Sequence, residues 1–348
     1  MIYFVVIFLI LALKFFIKNK DRYCIAVTLI LVCLAGLRST FCGQDTPMYN
    51  SIYNDFIGKS LKFLWNYRNR NEEDSEIGYF AIQYIISRIG NYDLFKFICA
   101  CVQIIPASFI IWKYSKSPHI SYLVFFLLPV FSLLAMCAMR QGLAFGMCMI
   151  AYHYARQQNL RYFCGFVLLA TLFHASAIFF SLVYLANYIK YSKRNNIIVL
   201  LLFVVFFVLR RSLFVYLTQF QRLGSSYVDG DEAGGFGMLA FFFLLYGLYY
   251  FVDDKSKENI DNNFNYNTLV YTILLWFIGL NLAAVFRLAA YTEFFLTLYI
   301  ANTLKGSKNQ IVRNIVPFIC FGLYLVWYKI VYNSGVDYPI NPYMFLWE

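Results

Sequence analysis

RYFCGFVLLATLFHASAIFFSLVYLANYIK, residues 161–190, decides how this chain is folded. Between its basic ends lie 28 residues, 162–189, with no aspartate, glutamate, lysine or arginine. An α-helix needs about 20 apolar residues to cross roughly 30 Å of bilayer hydrocarbon. The stretch is therefore long for one crossing and short for two. Basic connectors collect on one side of a membrane, so an even number of crossings must fit between these two. Two half-length helices meeting near Phe173-His174-Ala175 satisfy that demand. Interrupted helices of this kind mark sites near the bilayer midplane. One long tilted span is the alternative, and it would invert everything downstream.

The rest of the chain has the same character. Its 348 residues are 61% apolar and 21% aromatic, with a mean hydropathy of +0.61. This is the composition of an all-α polytopic membrane protein, whose helices satisfy their own backbone groups as lipid requires. The first apolar run, Ile2 to Ile17, has no basic region before it and no small-residue cleavage site after it, and reads as a retained helix. About twelve membrane segments are expected, at 2–17, 23–37, 93–112, 120–138, 141–155, 162–173, 175–189, 197–213, 236–252, 267–285, 287–304 and 314–332. They form a single integral domain over 1–348. The connectors at 18–22, 113–119, 156–161, 190–196, 253–263 and 305–313 all carry lysine or arginine, which places them in the cytoplasm and both termini outside. Two outer loops are long: residues 38–92, which include the amphipathic segment FAIQYIISRIG, and residues 212–235, rich in glycine and acid.

The net charge of +11 is absorbed by this topology, and nucleic-acid binding is set aside. The nine cysteines fall almost entirely in apolar spans with no zinc spacing, so a packing role is expected of them. Only Cys42 falls in an outer loop, so no disulfide framework is implied. There is no glycine-rich phosphate loop, no GxSxG and no HExxH, and no metal or other cofactor is expected.

The cations divide by type. Lysine dominates the cytoplasmic connectors (Lys18, Lys20, Lys113, Lys116, Lys190, Lys193, Lys305), whereas arginine dominates the outer ends (Arg38, Arg140, Arg210, Arg211, Arg222, Arg287). Lysine suffices to set orientation, but arginine's planar fork grips phosphate or carboxylate. Arg140 and Arg287 stand inside very apolar runs, SLLAMCAMRQGLAFGMCM and NLAAVFRLAAYTEFFLTLY. A guanidinium at membrane depth costs at least ~2.5 kcal/mol and marks a functional site by default. An anion held on the outer face is the expected purpose. Arg140 could instead snorkel from a tight turn, and Arg287 could pair with Glu293.

His174, at the inferred break, is a candidate phosphate ligand or general acid–base. A hydrogen-bonded core histidine is the plainer alternative. Glu76 and Asp45 are rival external bases. Arg38, Arg210 and Arg211 read as anion ligands or as helix-end anchors, and Gln141 and Tyr291, beside the two deep arginines, read as further substrate or pyrophosphate ligands.

The order of these residues resembles a known family. Arg38 followed by G-x-D-x-x-x-Y (Gly43, Asp45, Tyr49), then E-x-G-Y (Glu76, Gly78, Tyr79), R-Q (Arg140, Gln141), F-H-x-S-A (Phe173, His174, Ser176, Ala177) and R-x-x-x-Y (Arg287, Tyr291) is similar to the EpsG-like family. Its members look like the Wzy polymerases of O-antigen and exopolysaccharide assembly. Gly234-Gly235-Phe236-Gly237 fits the glycine-rich motif expected between spans eight and nine, while Cys42-Gly43-Gln44-Asp45 departs from the Val-Gly-Thr-Asp type of run.

The resemblance implies a polymerase of the bacterial inner membrane, working on the periplasmic face. It would move a glycan from undecaprenyl pyrophosphate onto another lipid-linked repeat unit, by an inverting, metal-independent displacement. Arg140 and Arg287, with Arg38, Arg210 or Arg211, would clamp the donor pyrophosphate, and His174, Glu76 or Asp45 would take the acceptor proton. Membrane lipids and a chain-length regulator are the expected partners. Rival readings are a flippase for the same lipid-linked substrate, an O-antigen ligase, and a membrane O-acyltransferase.

Overall fold

A computed structural model describes residues 2–63, 76–221, 236–280, 283–333 and 340–348. Every element among them is helical, and the one β-type contact is an isolated bridge between Arg38 and Phe345. Three helices are long and apolar enough to cross a membrane by length and composition: Tyr92–Tyr114, Arg194–Leu213 and Gln310–Tyr332. Shorter apolar helices accompany them, at Ile2–Phe16, Ile77–Ile86, Pro118–Leu127, Leu160–Thr171, Ala175–Asn187 and Phe236–Phe251.

All six basic connectors meet at one end of the bundle. Lys20 Nζ donates to the Ser115 carbonyl at 3.1 Å, and Trp112 Nε1 to Asp21 at 2.7 Å. The Lys116 amide donates to Asn302 Oδ1 at 2.8 Å, just before the last basic connector. That connector in turn reaches Asp253 through Ser307 Oγ at 2.9 Å and the Lys308 amide at 2.7 Å. Arg156 pairs with Asp261, and the Tyr191 amide donates to Asn263 at 3.0 Å. Asparagines cap three helices that start here: Asn19, Asn159 and Asn259 each accept from a backbone amide in the first turn.

The stretch that opened the argument is a hairpin. A helix over Leu160–Thr171 ends, Leu172 to His174 turn, and a 3-10 helix runs back over Ala175–Asn187. Its two feet are tied together at the basic end. Tyr184 Oη donates to the Gln158 carbonyl and Asn187 Nδ2 to the Ala155 carbonyl, both at 2.9 Å. One long tilted span is excluded, because its ends would lie on opposite sides. The returning arm departs from the expected half-length α-helix. Thirteen residues of 3-10 helix rise about 2.0 Å each and reach about 26 Å, against about 20 Å in α geometry.

Two further elements differ from expectation. The first outer loop contains a helix over Thr46–Phe56 that the hydropathy profile hides, with Pro47 in its first turn and Tyr49, Tyr53 and Phe56 buried on one face. The amphipathic segment forms the helix Ile77–Ile86, and it is packed into the protein through Tyr79, Phe80, Gln83 and Ile86. The helix Lys193–Gln221 continues through residues 212–221, the first part of the second loop. Its 29 residues measure about 44 Å, more than the hydrocarbon core is thick. The acidic run Glu72-Glu73-Asp74 and the glycine-rich segment at 222–235 lie outside the described residues.

The helices close on an aromatic centre. Phe295 stacks on Tyr152 at 4.4 Å, and Phe294 meets Phe125 at 5.3 Å and Phe145 at 5.6 Å. Helix Met139–Arg156 lies against helix Tyr92–Tyr114 at near-backbone contact. A Cβ on Gly146 would stand 2.1 Å from the Val102 carbonyl oxygen, and one on Gly142 would strike the Gln103 amide. Small residues four apart permit this approach, which in lipid is what drives helix association. Gly146→Ala should therefore wedge the pair apart and cost about 1–3 kcal/mol. Thermal unfolding in detergent checks it, with a clear drop in midpoint expected.

Candidate functional site

The end of the bundle opposite the basic connectors gathers three helix N-termini. Glu76 precedes helix Ile77–Ile86, His174 precedes Ala175–Asn187, and Arg140 is the second residue of Met139–Arg156. Arg156, at the far end of that last helix, is about 24 Å away along the axis. Helix N-termini carry unpaired amides and partial positive charge, so three of them pointing to one place favour an anion there.

Glycine sets the geometry. The Gly78 amide donates to the Leu172 carbonyl at 2.8 Å, tying the start of the short helix to the hairpin turn. A Cβ on Gly78 would sit 2.8 Å from that same oxygen, so only glycine allows the contact. The consequence is that Glu76 arrives beside His174. His174 Nδ1 bonds Glu76 Oε1, and Arg140 Nη1 lies 3.4 Å from Glu76 Oε2. One carboxylate thus faces two partners, 98 residues downstream in one case. The Arg140 contact is longer than a tight charge-assisted hydrogen bond. The side chains keep 11% (Glu76), 19% (Arg140) and 27% (His174) of their exposure, enough for a ligand to reach them.

A second layer holds these groups. Tyr49 lies under the Arg140 guanidinium, 5.7 Å from ring centroid to Cζ, and its hydroxyl donates to Asp45 at 3.4 Å. Tyr49 packs on Tyr79 at 5.4 Å, and the buried Gln83 amide ties both, bonding the Tyr79 hydroxyl at 2.9 Å and the Tyr49 carbonyl at 3.3 Å. Gly43, at φ +114°, presses its loop onto the Met136 carbonyl, just before Arg140. On the other side the buried Tyr291 hydroxyl contacts Ser176 Oγ at 3.2 Å and the Gln141 side chain.

Most of the residues singled out from the sequence therefore meet: Asp45, Glu76, Arg140, Gln141, His174 and Tyr291. Others stand apart. Arg38 is buried under the outer loop, with Nε bonding the Cys42 carbonyl at 3.2 Å and Nη1 the Ala35 carbonyl. Arg210 folds back on its own helix, donating to the Phe207 carbonyl at 2.8 Å, and Arg211 is exposed beside it. Arg287 lies on the helix Ala283–Glu293, one turn before Tyr291, and its side chain is outside the described residues. The suggested partner Glu293 accepts a hydrogen bond from Trp276 Nε1 at 2.7 Å. Arg222, Asp229, Asp231 and Glu232 also lie outside the described residues.

Gln83 and Lys96 escaped sequence reasoning. Lys96 is fully buried, pairs with Asp93 at 2.8 Å, and donates to the Arg38 carbonyl at 2.5 Å. The i, i+3 spacing of Asp93 and Lys96 at the head of an apolar helix was the available signal. Burial pushes the Cys42 thiol up, although the nearby Arg38 pulls the other way. Among the described residues, no group of three or more His, Cys, Asp or Glu side chains converges.

The geometry is that of a membrane-embedded helical protein with a carboxylate, an imidazole and a guanidinium gathered at one end. Within that class its place is definite. The chain matches the EpsG family over residues 21–345, nearly its whole length, and belongs to that family, which is associated with Wzy-like polymerases. No curated protein and no solved structure matches it.

Removing one member of the carboxylate cluster should cost more than removing two. Glu76→Gln removes a carboxylate that faces both Arg140 and His174, a loss of about 1–3 kcal/mol at this partial exposure. Adding Arg140→Gln should recover part of it. Paired melting curves of the single and double variants decide this, and strictly additive losses would contradict the shared carboxylate.

Proposed function

We propose that this protein is a polysaccharide polymerase that joins polyprenyl diphosphate-linked repeat units at the outer face of the bacterial inner membrane. The observation that carries the reading is the Arg140–Glu76–His174 cluster at the convergence of three helix N-termini. In this scheme the chain crosses the membrane twelve times with both termini outside. The common end of the basic connectors is cytoplasmic by the positive-inside rule, which turns the cluster outward. The donor's lipid tail stays in the bilayer while its diphosphate meets Arg140 and Arg287.

Chemically, an acceptor hydroxyl oxygen attacks the anomeric carbon of the donor glycan. The bond from that carbon to the diphosphate oxygen breaks, and polyprenyl diphosphate leaves with the bonding pair. Glu76 holds His174 Nδ1, so Nε2 takes the hydroxyl proton, and the resulting imidazolium is stabilised by the same carboxylate. Charge gathering on the leaving group is met by arginine and by helix N-termini already in place. One displacement gives inversion. Asp45, bonded by the Tyr49 hydroxyl beneath Arg140, is a second carboxylate nearby and suits an acceptor-binding role.

A flippase for the same substrate would need polar groups along a path through the membrane. The concentration of the cluster at one end supports the polymerase instead. A ligase would use the same kind of end, and phenotype separates the two. Loss of a polymerase leaves single repeat units displayed, whereas loss of a ligase leaves polymer unattached.

Arg140→Lys keeps the charge and loses the bidentate fork. It should cut polymer about 100-fold or more while the protein still inserts at wild-type level, and His174→Gln should do the same. Surface-polysaccharide gels from a deletion strain complemented with each variant read this out. Full-length ladders from Arg140→Lys would end the clamp.

A further inference from the structure

The Tyr291 hydroxyl joins the three elements on which the proposed chemistry depends. Tyr291 is 1% exposed and Gln141 2%, so neither presents its polar end to an incoming glycan. Ser176, 6% exposed, lies two residues after His174 at the start of the hairpin's returning arm. Gln141 directly follows Arg140, and residue 287 lies one helical turn before Tyr291. Ser176 Oγ at 3.2 Å and the Gln141 side chain both bond the Tyr291 hydroxyl. With its hydroxyl engaged inside the protein and only 1% of the residue exposed, Tyr291 is placed out of the substrate's reach.

We infer that Tyr291 is a positioning residue: its hydroxyl sets the placement of the helix carrying Arg287 against Arg140 and His174, and it does not touch the substrate. The surroundings fit this role. The same helix is tied on its other side by two hydrogen bonds, Thr272 Oγ1 donating to Thr292 Oγ1 at 2.8 Å and Trp276 Nε1 to Glu293 at 2.7 Å. Those bonds fix it to the helix Ile260–Gly279, and only Tyr291 is described as bonding it to the hairpin and to the Arg140 helix. A hydroxyl suits the task better than a charge. It bridges a donor and an acceptor without the desolvation penalty of an ion, and its rigid ring carries only two side-chain torsions. This inference rests on the polymerase reading for its catalytic consequence, but its structural half stands without it.

The test therefore has two arms. In the first, Tyr291→Phe, Ser176→Ala and Gln141→Leu are placed in lipid nanodiscs, and backbone hydrogen exchange is followed. Each variant should speed exchange in the Ala283–Glu293 helix and at residues 174–177 by roughly tenfold, the worth of one buried hydrogen bond. Unchanged exchange in all three overturns the inference, whatever the protein's activity. If one variant fails to fold, the other two carry the same measurement.

In the second arm, polymer formation is assayed with lipid-linked repeat units. Tyr291→Phe should lower kcat roughly tenfold with KM unchanged, and the double variant with Ser176→Ala should be no slower than either single one. A raised KM, or losses that multiply, would make the hydroxyl a substrate ligand and overturn it. Altered exchange with no polymer formed by the wild type would leave the positioning intact and remove the polymerase.

Discussion

A carboxylate shared between an arginine and a histidine, at one end of the helical bundle, is the constraint on which the structure turns. Each partner needs the other. Arg140 cannot lose its charge, and burying it alone is expensive. Glu76 supplies the opposite charge and, through its second oxygen, fixes the orientation of the His174 ring. The histidine in turn occupies the single turn that lets the hairpin reverse. Local chemistry and chain topology are thus the same problem, and one carboxylate answers both.

The backbone is shaped to deliver that carboxylate. Gly78 has no side chain because Leu172 lies against it, and Gly43 has none because Met136 does. These two contacts bring segments from the first outer loop onto the hairpin turn and onto the approach to Arg140. Three helices then begin around one point, and the positive ends of their dipoles add to the field there. The aromatic layer of Tyr49 and Tyr79, fastened by Gln83, fills the space behind without adding charge.

The cations sort by what they bond. Arg38 spends its hydrogen bonds on the carbonyls of Ala35 and Cys42, and Lys96 spends one on the Arg38 carbonyl itself. Both fasten the C-terminal end of the helix Lys20–Gly36, where the last segment of the chain pairs with Leu37 and Ser39. Arg140 is paired with an acid and remains within reach of a ligand. A guanidinium bonded to backbone builds structure, whereas one balanced by a carboxylate can exchange it for another anion.

Much of this was legible in the sequence. Hydropathy located the apolar helices, and the basic connectors foretold which helix ends lie together, because charge near a membrane obeys a field common to the whole chain. The uncharged 162–189 stretch announced a break, and His174 its position. Deep arginines, a histidine at the break and scattered glycines named most of the site. Three things stayed hidden. The 3-10 geometry of the returning arm is imposed by how far it must reach. The Thr46–Phe56 helix is too polar for hydropathy to register. The pairing of Glu76 with both Arg140 and His174 joins residues far apart in the chain, through contacts no local pattern encodes. Sequence determined which groups are costly to bury and where the chain must turn, since both follow from side-chain chemistry and element length. Only the tertiary structure decided which of those groups share a partner and which, like Arg38, are bound to backbone, because that depends on the distances at which separate helices pack.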